Sequence, residues 1–391
     1  MRMRKATSAL MGLLLAGVAA TPAHAQTIRE QQWHLDAMKA DEIWKISTGK
    51  GVTVAVIDTG VARIPELEGQ VLPGKDFAAG QKGYDGDERS DWDKHGTGIA
   101  SMIAGSGRHP SGDGAYGLAP GAKILPIRVP HDMTLATPSW ASAIRYAADS
   151  DARIINISLA VAGSTADDQM RSEAVRYALS KGKLIFAAVG NDGDTVNRIE
   201  YPAATPGVVG VAAVDVDGAA TKESQHGPQV DISAPGIDIV SACSGTTQLC
   251  KSHGTSDASA LASASAALLW SAHPDWTNNQ VLRVLLNTAG KPVDGAGRND
   301  YVGYGVVRPR VAVPTPGDPG PADVYPLPDL AAAAAPGGKT AETGASKPVP
   351  LPEASVKKSD GSILPWIALG LGACVVIGGA VTAVAVRRNR R

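Results

Sequence analysis

Five short runs of apolar, mostly β-branched residues punctuate this chain, at 51–57, 123–129, 153–159, 183–189 and 208–214. None alternates strictly between apolar and polar positions, so each is predicted to be a strand buried on both faces. Between and after these runs the period lengthens, predicting helices at 96–104, 139–149, 167–180, 256–272 and 278–288. Alternating strands and helices, with the strands doubly buried, imply an α/β fold: a parallel sheet with helices on both faces. In such sheets functional side chains collect at the carboxyl ends of the strands.

The two ends of the chain follow other rules. The first five residues hold three positive charges, residues 9–20 are apolar, and Ala23, His24 and Ala25 form an A-x-A cleavage site. Residues 1–25 therefore read as a secretory signal peptide, with the mature chain starting at Gln26. Residues 363–386 are 24 positions without a charge, long enough to cross a bilayer as a helix. Arg387, Arg388, Arg390 and Arg391 follow and make 387–391 a cytoplasmic basic tail, leaving the rest of the chain outside the cell. Residues 311–362 are rich in Pro, Ala and Gly and poor in large apolar residues, the composition of a linker. The expected organisation is thus a globular domain at 51–310, preceded by a segment at 26–50 packed on it and tethered to the cell membrane through one C-terminal helix.

Charge narrows the function classes. With 37 basic against 38 acidic residues, nothing favours nucleic acid as a partner. Of the three cysteines, Cys374 falls in the apolar span, whereas Cys243 and Cys250 are close together in the outward-facing domain. An oxidising compartment favours a disulfide between those two, holding the loop that leads to residue 256.

The candidate chemistry lies in four places. Gly254, Thr255 and Ser256 open an Ala/Ser-rich helix, where free backbone N–H groups can steady a negative charge. Asp58 ends the first predicted strand, His95 opens a helix, and Asn191 follows the 183–189 strand. A serine hydroxyl attacks an amide only with a base in reach. His95 is the candidate base, Asp58 the group that fixes its tautomer, and Asn191 with the Ser256 N–H the oxyanion donors. Asp, His and Ser occur in the order used by subtilisin.

With those residues in view, about 30–310 resembles the subtilisin-like serine proteases (subtilases). The matching segments are 54–61 around Asp58, 95–105 around His95, 187–191, and 254–268 around Ser256. The ends, the linker and Gln32-Trp33-His34-Leu35 are similar to the mycosins, membrane-anchored subtilases of type VII secretion systems. The resemblance implies a subtilisin-like sheet, hydrolysis of peptide bonds in protein substrates through an acyl-enzyme, and an association with type VII secretion. It also implies that Ser158, Leu159 and Ala160 pair with an extended substrate. Ala160 stands where a Gly is usual, which narrows the rim. From another class, the alternative is a subtilase-fold assembly component that cleaves little.

Two departures from the family pattern stand out. Asp257 follows the nucleophile where an apolar residue is usual, and Ala260 takes a Pro position. The carboxylate of Asp257 is expected to point away from His95. From Gln26 to Asp58 there are only 32 residues, too few for a separately folded inhibitory prodomain. No cofactor is expected. The acidic loop 84–93, with Asp85, Asp87, Glu88, Asp91 and Asp93, leaves two uses open: a solvated loop or a structural calcium site.

Overall fold

The computed structural model describes residues 26–334, apart from 131, 132, 164, 246 and 247. The expected signal peptide, the later linker, the 363–386 span, Cys374 and the basic tail lie outside the described residues. Among those described, no helix is long and apolar enough to cross a membrane.

In chain order the strands are β1 (Thr53–Asp58), β2 (Lys75–Asp76), β3 (Lys123–Arg128), β4 (Ile154–Ile157), β5 (Val161–Ala162), β6 (Leu184–Ala188), β7 (Glu200–Tyr201), β8 (Val209–Val214), β9 (Ile232–Pro235), β10 (Ile239–Ala242) and β11 (Leu249–Ser252). Seven of them form one sheet in the order β2-β3-β1-β4-β6-β8-β9. Every pairing in that sheet is parallel, for instance Val54 opposite Ile154 and Ile154 opposite Leu184. The five expected strands are its centre.

Alternate residues of the central strands enter two separate cores, which is why the runs are apolar throughout. Val54, Val56, Leu184 and Phe186 pack on one side with the helices His95–Ala104, Thr255–Ala272 and Asn278–Thr288. Ala55, Ile57, Ile185 and Ala187 pack on the other, against the helices Met133–Asp149 and Thr165–Ser180. Burying one such large side chain contributes roughly 1.5–3 kcal/mol.

The Thr255–Ala272 helix is buried along nearly its whole length, so it is built from Ala and Ser, which let sheet and helix approach. Its hydroxyls are satisfied inside the protein. Ser259 and Ser263 both donate to Asn156 Oδ1 at 2.9 Å, and Ser265 donates to Leu261 O.

The flanking segments pack closely as well. Gln32 is fully buried and donates to the carbonyls of Tyr116 and Val240, while Trp33 and Trp44 donate their indole N–H to Ile237 and Leu118. The region expected to be linker from residue 311 begins instead as a strap on the domain. Val313 and Leu327 are buried, and the Arg283 guanidinium donates to the carbonyls of Pro319, Pro321 and Val324. Gly207 N–H donates to Asp329 Oδ2 at 2.6 Å and fixes the far end. Too few apolar residues for a core of their own are enough to dock on one already formed.

Candidate active site

Three carboxyl-end loops of the parallel sheet and two helix starts meet at one cleft. It has a volume of about 190 Å3 and is lined by Thr59, Asp93, His95, Ser158, Leu159, Ala160, Ala188, Gly190, Asn191, Glu200, Thr255 and Ser256. Of the residues singled out in the sequence for this chemistry, all but Asp58 line it. Asp58, fully buried at the end of β1, sits directly behind His95.

The acid–base side is tightly built. Asp58 Oδ1 lies 2.7 Å from His95 Nδ1 and also accepts the Thr59 N–H at 2.8 Å. An ionised carboxylate is an acceptor only, so Nδ1 carries the proton and Nε2 is left for other work. The histidine is placed by its helix, and the helix by Asp91. Asp91 Oδ1 accepts the N–H groups of Asp93 and Lys94, and Oδ2 accepts Thr97 N–H, filling the open donors at the helix start. Thr59 joins the two parts: its hydroxyl donates to Asp91 Oδ1 and accepts the Gly96 N–H.

Burial by itself would lower the His95 pKa. The attraction of Asp58 and its hydrogen bond outweigh that, with Asp257 and Asp91 adding to them, and the imidazole is raised to about 9. At neutral pH it is therefore held as imidazolium.

On the nucleophile side, Ser256 is the second residue of the Thr255–Ala272 helix. Its hydroxyl donates to the Ser158 carbonyl at 2.7 Å, and Ser158 Oγ in turn donates to the Ser256 carbonyl at 2.9 Å. Asn156 Nδ2 donates to Ser158 Oγ, so the loop after β4 and the helix are locked together. The serine hydroxyl is thus turned onto the strand-end backbone.

Asn191 is oriented by Thr255. Its Oδ1 accepts both the Thr255 N–H at 2.9 Å and the Thr255 hydroxyl at 3.0 Å. A backbone N–H is only a donor, which settles which end of the amide is oxygen and leaves the NH2 end for the cleft. Gly254 makes this approach possible: its φ is +121°, and an added Cβ would stand 3.0 Å from Asn191 Nδ2.

Asp257 is bonded locally, its Oδ2 accepting the Ser252 hydroxyl at 2.7 Å. It is buried, which raises its pKa to about 6 against the opposing pull of Ser252 and His95. Cys243 and Cys250 are bonded beside it across the β10–β11 hairpin, with Cα atoms 5.8 Å apart. In the acidic loop, Asp91 serves as the helix cap and Asp87 binds its own turn through Arg89 N–H and Ser90 Oγ. Among the described residues no group of three or more His, Cys, Asp or Glu is arranged to hold a metal ion.

Sequence reasoning missed Thr59, Asp91 as a cap, Asn156, Thr255 and Glu200. Thr255 had a signal, lying inside the Gly-Thr-Ser triplet. Thr59, Asn156 and Glu200 had none, because their partners are distant along the chain, whereas Asp91 caps residues close to it.

Comparison with known proteins identifies the family. The family model described as "Subtilase family" matches residues 49–305. A thermophilic serine proteinase from Bacillus sp. (strain AK1) is 36% identical over 276 residues, which is 70% of this chain and 64% of that protein's length. Mycosin-1 of Mycobacterium tuberculosis is 33% identical over 343 residues, 74% of each chain. The crystal structure of MycP1 from the ESX-1 type VII secretion system superposes with a TM-score of 0.65 at 30% identity, covering 78% of this chain and 90% of that one.

Proposed function

The chain belongs to the subtilase family of serine proteases, and on that premise we propose that it is a membrane-anchored, extracytoplasmic serine endopeptidase. The observation that carries this is the 2.7 Å bond between His95 and Asp58 at a cleft that also holds Ser256 and the Thr255-locked amide of Asn191.

An extended peptide adds to the segment Ser158, Leu159 and Ala160 by main-chain hydrogen bonds. A turn of the Ser256 side chain moves its hydroxyl from the Ser158 carbonyl to His95 Nε2. Above the imidazole pKa, Nε2 takes the hydroxyl proton as Oγ bonds to the scissile carbonyl carbon. The carbonyl oxygen becomes an oxyanion held by Asn191 Nδ2 and the Ser256 N–H. Collapse breaks the C–N bond, and the imidazolium gives its proton to the leaving amine. Water, deprotonated by the same Nε2, then attacks the acyl carbon; the C–Oγ bond breaks and the imidazolium returns the proton to Ser256 Oγ. Asp58 holds the ring and its charge throughout.

Anchoring rests on residues 1–25, 363–386 and 387–391 of the sequence. A place in type VII secretion is supported by the likeness to Mycosin-1 and to MycP1 of the ESX-1 type VII secretion system. A second reading, an assembly component with little proteolysis, is favoured by the serine hydroxyl resting on Ser158 and the imidazole held charged at neutral pH.

Mapping of new protein N-termini at the cell surface separates the two. The endopeptidase produces termini that vanish in the Ser256→Ala form, and identical sets from both forms refute it.

A further inference from the structure

Beyond the reacting groups, the cleft has a floor of unusual character. Gly190 follows β6 with φ +111°, and a Cβ added there would come within 2.5 Å of both Glu200 Oε2 and the Gln225 amide. The glycine thus lets a carboxyl and an amide close in beneath it. Gln225 is fully buried beneath Gly190, with its amide turned to the Glu200 carboxyl. Glu200 is held in place by β7, where it pairs with Ala162 of β5, two residues past Ala160.

No Lys or Arg among the described residues forms an ion pair with Glu200, and none lines the cleft. The lining charges are Asp93, Glu200 and His95, and the last is already committed to Asp58. Burial, reinforced by Asp192, raises the Glu200 pKa above the ordinary range, while Gln225 and Arg198 act the other way. A half-buried carboxyl that forms no ion pair among the described residues, with one buried amide as its side-chain partner, is incompletely compensated.

Substrate geometry places something there. With the scissile carbonyl between Ser256 and Asn191, the side chain on its N-terminal side must enter the hollow bounded by Ser158, Leu159, Ala160, Ala188, Gly190 and Glu200. We infer that Glu200, backed by the buried Gln225, selects a basic side chain, Lys or Arg, at the residue immediately before the scissile bond. The ammonium or guanidinium meets the Glu200 carboxylate, which lines the cleft, while the Gln225 amide behind it steadies that carboxylate. This rests on the endopeptidase reading for the direction in which the peptide lies.

The test is peptide binding to the full-length Ser256→Ala chain, followed by fluorescence anisotropy. The peptides are labelled alanine peptides carrying a single Lys, Leu or Glu. Lys is expected to bind about 10- to 100-fold more tightly than Leu, the range for a hydrogen bond to a charged group. Glu200→Gln brings that ratio near one. Glu200→Lys turns the preference toward the Glu peptide, a gain that misfolding cannot mimic. Equal or weaker binding of the Lys peptide by the parent chain, or a preference unmoved by both Glu200 variants, overturns the inference. Labelling of Ser256 by a fluorophosphonate is independent of this hollow. A chain that labels but shows no Lys preference refutes the selectivity alone, and one that prefers Lys but never labels refutes the endopeptidase reading alone.

Discussion

The two halves of the cleft are finished to different degrees. On one side Asp58, Thr59, Asp91 and His95 form a closed set of short contacts, 2.7–2.9 Å, that fixes tautomer, ring and helix start together. On the other, Ser256 lies on a well-held helix, yet its hydroxyl rests on the Ser158 carbonyl and not on the imidazole. The His95–Asp58 pair is preorganised and charged; in the proposed mechanism the Ser256 hydroxyl reaches the imidazole by a side-chain rotation. Deprotonating His95 makes Nε2 an acceptor and gives that rotation its reward, so the contrast predicts an enzyme governed by the titration of His95.

The largest effects come from removing members of the set. His95→Ala and Ser256→Ala should each lower peptide hydrolysis by more than about 10^4-fold, measured as kcat on a peptide substrate. Asp58→Asn, which keeps the shape but reverses the favoured tautomer, should cost about 10^4-fold. If Asp58→Asn were nearly neutral, the preorganised half would have no role.

Next in size is the oxyanion donor. Asn191→Ala should cost about 10^2–10^3-fold in kcat with little change in thermal midpoint. Thr255→Val removes the hydroxyl that donates to Asn191 Oδ1 and accepts Gly190 N–H, so it should move kcat in the same direction by less. A Thr255→Val loss exceeding that of Asn191→Ala would mean that the threonine acts by another route.

The pH profile sharpens the contrast further. The base works only when neutral, so kcat/KM should be low at pH 7 and rise with pH through a midpoint near 9. Asp257 contributes to holding that proton, so Asp257→Asn should shift the midpoint downward, on the order of 0.5 pH unit. A midpoint near that of free imidazole in the parent chain would contradict the charged half. Linkage runs the same way: the His95–Asp58 pair contributes stability that is fully present below pH 6.5 and is lost as pH rises through about 9. The smallest effect should follow reduction of Cys243–Cys250, a loss of roughly 2 kcal/mol or less in unfolding free energy, read by denaturant titration.

What could be read from the sequence divides along the same line. Central parallel strands are apolar on both faces, so β1, β3, β4, β6 and β8 stood out. The 278–288 helix was recognisable from its own pattern and is closed by a Thr277/Gln280 capping box. The edge strand β9 did not stand out, because it is four residues long and ends in Pro235. Asp58, His95, Asn191 and Ser256 were found because their neighbours carry a family pattern. Asn156 and Glu200 were not, since each acts through a partner brought near only by folding; Asp91, whose cap bonds are local, was read only as part of an acidic loop. The strap at 313–330 was hidden by its composition: a Pro- and Gly-rich stretch looks unable to fold, yet Arg283 and Gly207 supply the contacts it lacks.

Fluorophosphonate labelling of the full-length chain at pH 9 tests the triad most directly. The probe should modify Ser256 alone, and Ser256→Ala and His95→Ala should each abolish the signal. No labelling of the parent chain, or labelling that survives loss of His95, would contradict the coupling of the two halves.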